Sequence, residues 1–106
     1  MYENFLELCA NNTSKEVEFA LQNGANINEK DDDGWTALMF ATHNIHDPEV
    51  VAVLLEHGAD VNEKNKREED YTALMYAVLH RANPQIIKTL LDYGANIDAK
   101  KVWFLV

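Results

Sequence analysis

His43, His46 and Asp47 fall close together and could offer two imidazoles and a carboxylate to a metal ion. A His-x-x-His pair in a loop needs a third ligand held in place, and the spacing supplies none, so no metal is expected. Cys9 is the single cysteine and lies between Leu8 and Ala10. With no histidine partner evident, it reads as a small packed thiol rather than a nucleophile. Carboxylates are abundant, but most fall at solvated turn positions, which does not suit acid–base work in a dry cleft. No glycine-rich loop ending in Lys and Ser/Thr is present to cradle a phosphate. The sequence therefore predicts neither an enzyme nor a cofactor.

The balance of 9 basic and 18 acidic residues gives a net charge of -9 over 106 residues. A phosphate backbone would meet net repulsion, so nucleic acid is not an expected partner. A basic protein surface suits this charge better, although charge alone also serves solubility. Hydrophobic residues make up 47%, enough for one cooperative core. A lone cysteine forms no internal disulfide and fits a reducing compartment. No basic stretch leading into a long apolar run stands at the start, and no run approaches bilayer length. The expected location is the cytoplasm, without membrane contact.

Whatever binds must be positioned by a repeat. Gly-Ala-Asn-Ile-Asn at Gly24 returns as Gly-Ala-Asp-Val-Asn at Gly58 and Gly-Ala-Asn-Ile-Asp at Gly94. The glycines stand 34 and 36 residues apart, a spacing typical of stacked repeats. The flanks repeat as well. Thr36-Ala37-Leu38-Met39 is matched by Thr72-Ala73-Leu74-Met75, and each threonine precedes its glycine by 22 residues.

Each unit reads as two short helices. Thr36 caps the first, and Leu38 and Ala41 face one way. Small Ala41 and Ala77 let neighbouring helices approach. After a polar stretch from Thr42 to His46, Asp47-Pro48 opens the second helix, as Asn83-Pro84 does one unit later. In the first unit Thr13 and Glu16 have capping-box spacing. Val50, Val51, Val53, Leu54 and Leu55 supply the apolar face, matched by Ile86, Ile87, Leu90 and Leu91, and by Val17, Ala20 and Leu21 in the first unit. The motif glycines end these helices. Helices of about ten residues do not persist alone, so stacking must hold them.

These motifs resemble the ankyrin repeat, a unit of about 33 residues. The resemblance implies an all-α solenoid of about three helix-turn-helix units with β-turn fingers, near 1–31, 32–65 and 66–101 within one domain, 1–106. It departs from the family in several places. Ala37 and Ala73 stand where Pro is common, and Met39 and Met75 where His is common, so apolar packing must tie the turns together. The usual glycine between the helices is missing. One extra residue falls in each inter-helix loop, at 44–46 and 80–82, and two more lengthen the finger at 65–70. Tyr2, Phe5, Leu8 and Cys9 form one face of a first helix, with Glu3, Asn4 and Glu7 opposite, as in an N-terminal capping repeat. The end, Val102-Trp103-Phe104-Leu105-Val106, is too apolar for a solvent-facing cap. It folds back, meets a partner or second copy, or leads into a longer array.

Ankyrin-like stacks bind proteins through finger tips and inner helices. Carried onto this chain, the fingers present Asp32, Asp33 and Trp35, then Glu68, Glu69 and Tyr71. Trp35 and Tyr71 hold the same place before the threonine. As anchors ringed by carboxylates they suit a partner with Lys or Arg around an apolar patch; as structure they brace the fingers. His43, Asn44, His46, His80 and Arg81 interrupt the usual loop and are further candidates. Lys64, Lys66 and Arg67 run into Glu68, Glu69 and Asp70, a mixed-charge finger that could pair internally. The expected function is a protein-interaction module; the alternative is a structural or self-associating piece of a longer array, joined through Trp103, Phe104, Leu105 and Val106.

Overall fold

The computed structural model describes residues 4–11, 13–45 and 47–97, without the side chains of Asn11, Asn44 and Ile45. Tyr2, Glu3, His46 and the tail from 98 onward, including Trp103–Val106, lie outside the described residues. Six α-helices follow in order: α1 Phe5–Asn11, α2 Ser14–Gln22, α3 Ala37–Phe40, α4 Pro48–Glu56, α5 Ala73–Leu79 and α6 Pro84–Asp92. The described residues contain no strand, only two isolated antiparallel bridges, Lys30 with Thr36 and Asn65 with Tyr71. The fold is the all-α stack expected from the repeat.

Two layers stack. In the outer layer α2 packs on α4 and α4 on α6; in the inner layer α1 packs on α3 and α3 on α5. Val17, Val50, Val51, Leu54, Ile86 and Leu90 are buried between them. Ala41 and Ala77 are fully buried on the inner side, consistent with close helix approach. Met39 and Met75, at the places where the family often has histidine, are buried too.

The helix starts follow the sequence with one exception. Thr36 and Thr72 Oγ1 accept from the amides of Met39 and Met75 at 3.3 and 3.4 Å. Asp47 and Asn83 Oδ1 accept from Glu49 and Gln85 at 2.9 Å. Thr13 sits at the N-cap of α2, but its side chain makes no capping bond. Its carbonyl accepts from Val17 N. The expected capping box is therefore not formed by Thr13.

The extra residues change the backbone where they fall. Thr42 to Ile45 is not a loop: Ala41–Ile45 continues α3 as a π-helix, a wider turn that absorbs one residue without leaving the helix. Thr42 is fully buried and its hydroxyl donates to Met39 O at 2.9 Å. In the next unit, α5 closes by Ala82 N bonding Ala77 O at 2.8 Å. This requires a left-handed residue, and Arg81 takes it with φ +52, in a place that glycine usually fills. In the long finger, Glu69 and Asp70 are both left-handed, at φ +57 and +62.

The outer helices close alike. Gly58 N bonds Leu55 O at 3.1 Å and Ala59 N bonds Leu54 O at 3.0 Å. The same pair recurs at Gly24 and Gly94. A Cβ on Gly58 would meet nothing within 4 Å, but its φ is +93, so handedness rather than space demands glycine there.

Candidate protein-binding groove

Each finger starts from an Asx residue seven positions after a motif glycine, Asp31 or Asn65. Asp31 Oδ1 accepts from Asp33 N and Trp35 N, both at 2.9 Å. Asn65 Oδ1 accepts from Arg67 N at 3.0 Å, its amide donates to Tyr71 O at 2.7 Å, and its carbonyl accepts from Glu68 N and Asp70 N. Asn65 is fully buried, so a side chain that folds the finger also reaches into the core. Gly34 of the preceding finger lies against it: a Cβ on Gly34 would collide with Asn65 Oδ1. The two fingers interlock at this point.

Asn65 Nδ2 donates to Tyr76 Oη and to Glu68 Oε1, each at 3.2 Å, and Tyr76 Oη donates to Glu68 Oε1 at 2.6 Å. Burial, and then the bond to Glu68, push the Tyr76 phenol above its ordinary range, so it stays a donor. Tyr76 occupies the place of Phe40 one unit earlier. The added hydroxyl meets a carboxylate of the lengthened finger.

Tyr76 is also where the aromatic candidates meet. Trp35 stacks on it with centroids 4.4 Å apart, and Tyr71 packs on it at 5.4 Å. Trp35 further contacts Phe40 at 5.2 Å and His43 at 5.1 Å. His43 meets His80 edge-on at 4.1 Å. Trp35, His43, Glu68, Glu69, Tyr71 and His80 line one cleft of about 580 Å³ with Arg67, Tyr76 and Leu79.

The expected residues do not all converge. Asp32, Asp33 and Arg81 are exposed and do not line this cleft. The Asn44 side chain and His46 lie outside the described residues. Lys64, Lys66 and Arg67 form no ion pair among the described residues; Lys30 instead bridges to Glu63 at 3.1 Å. Asn65 holds the mixed-charge finger through its side chain and its backbone. Among the described residues no group of three His, Cys, Asp or Glu is placed to hold a metal. No described helix is long and apolar enough to cross a membrane. Cys9 is fully buried, and burial pushes its thiol from 9.0 to about 12, which suits packing and not nucleophilic chemistry.

The ankyrin-repeat family matches residues 5–101 as three repeat copies. The chain belongs to the ankyrin-repeat family. Ankyrin repeats are generally protein–protein interaction modules and typically not enzymes. Among curated relatives, this ankyrin chain is 52% identical over 40 residues to "NAD-capped RNA hydrolase NUDT12" of Homo sapiens and of Macaca fascicularis, covering 38% of the chain and 8% of each relative. It is 47% identical over 57 residues to the "Mitochondrial disaggregase" of Homo sapiens, covering 54% of the chain and 8% of that protein. The ankyrin chain thus spans under a tenth of the length of these relatives.

Proposed function

We propose that the chain is a binding module whose cleft between the long finger and the inner helices receives a partner protein with a basic and apolar surface. The convergence of Trp35, Tyr71 and Tyr76 with Glu68 and Glu69 on one cleft carries this reading. Trp and Tyr concentrate binding energy because they bury much area with little rotamer entropy. The finger is held by Asn65 before any partner arrives, so little ordering entropy is lost on docking. The net charge of -9 favours a basic protein over nucleic acid. The lone buried thiol suits a reducing location, the cytoplasm. The test is the affinity of an isolated partner for wild type and for a Tyr71→Ala, Glu68→Gln variant. Both residues sit at the cleft, outside the repeat-stacking core.

A second reading is self-association or a longer array at the C-terminal end. Exposed Leu91, Tyr93 and Ile97 on the last unit favour it. Removing the residues after Lys101 and measuring mass in solution tests this reading. A mass unchanged by the cut counts against self-association through Trp103–Val106.

A further inference from the structure

We infer that the cleft takes an arginine side chain of the partner, an inference resting on the reading of this cleft as the partner site. Glu68 is exposed, yet its Oε1 is fixed by Tyr76 Oη at 2.6 Å and Asn65 Nδ2 at 3.2 Å. Its Oε2 has no partner among the described residues. A carboxylate of fixed orientation with one open oxygen stands in a cleft shared with half-buried Trp35 and Tyr71.

That combination selects a planar cation. Guanidinium stacks on a ring face while one N–H donates to the open Oε2, and it sheds water more readily than ammonium. A methylated ammonium needs rings that stand apart as walls. Here Trp35 and Tyr76 are closed on each other at 4.4 Å with an interplanar angle of 28°, which leaves no gap between them for a tetrahedral head. Arg67 lines the same cleft but forms no ion pair among the described residues, so no cation among the described residues satisfies Glu68.

The test is an NMR titration of the full chain with acetyl-Gly-Arg-Gly-amide, followed at the Trp35 indole N–H and the Glu68 amide. Matched probes carry citrulline or trimethyl-lysine in place of arginine. The arginine probe is expected to bind about tenfold tighter than the citrulline probe and tighter than the trimethyl-lysine probe. Glu68→Gln should erase the preference over citrulline, and Tyr71→Leu should weaken the arginine probe several-fold, with amide dispersion retained in both. Equal binding of citrulline, tighter binding of trimethyl-lysine, or an arginine preference that survives Glu68→Gln would overturn the inference. If these fail while the cleft variant still loses a partner protein, the binding face stands and only its arginine specificity falls.

Discussion

Trp35 of the second unit stacks on Tyr76 of the third, with ring centroids 4.4 Å apart. One residue therefore couples two repeats and lines the cleft. Trp35→Ala should cost about 2–4 kcal/mol, from lost ring packing and the gap left behind. Trp35→Phe should recover part of that. Urea unfolding followed by circular dichroism measures both. An alanine variant as stable as wild type would mean that the stack contributes no coupling.

Asn65 is a buried side chain that serves both the finger and Tyr76. Asn65→Ala leaves the Arg67 amide without its side-chain acceptor and Glu68 without one donor. A loss of about 2–3 kcal/mol is expected. Amide exchange should rise first at Arg67–Tyr71, the segment that Asn65 folds. Uniform exchange across the chain would contradict a local role.

Arg81 holds φ +52 at the end of α5. A left-handed non-glycine residue costs about 1 kcal/mol or more. Arg81→Gly should raise the urea midpoint by an amount worth about 1 kcal/mol. No gain, or a loss, would mean that the arginine side chain offsets its backbone strain.

The Cys9 thiol sets an alkaline limit. The unfolded chain loses this proton near 9.0, the folded chain near 12. Between those values the folded state holds more protons, so stability is full below about pH 9 and falls as pH rises. The raised Tyr76 phenol adds in the same direction. Cys9→Ala should flatten the decline, measured by urea midpoints from pH 8 to 10.5. Native Cys9 should also react with a thiol reagent only as fast as the protein opens.

The architecture was legible because its signals are local and repeated. The motif glycines, Asp47-Pro48 and Asn83-Pro84, and the two capping threonines each act within a few residues of themselves. The inserted residues were countable, but not their form. The count does not say whether one becomes a π-turn, as at Ala41–Ile45 packed against α1 and α5, or a left-handed residue, as at Arg81. Trp35 and Tyr71 stood out by type and place. Asn65 did not, because a polar residue in a charged finger looks solvated. Its one signal is the spacing it shares with Asp31, seven residues past the glycine. Tyr76 is part of the packed interior; its hydroxyl matters only because the lengthened finger brings Glu68 to it. Asp32, Asp33 and Arg81 were proposed by position in the repeat and stay outside the cleft.

The most direct test of the binding cleft is calorimetric titration of an isolated partner protein against three forms of the chain. These are wild type, the Tyr71→Ala, Glu68→Gln variant, and Lys88→Ala on the exposed side of α6. The cleft variant should bind about tenfold or more weakly, with Lys88→Ala unchanged and all three equally folded. A cleft variant that binds at wild-type strength would contradict the account.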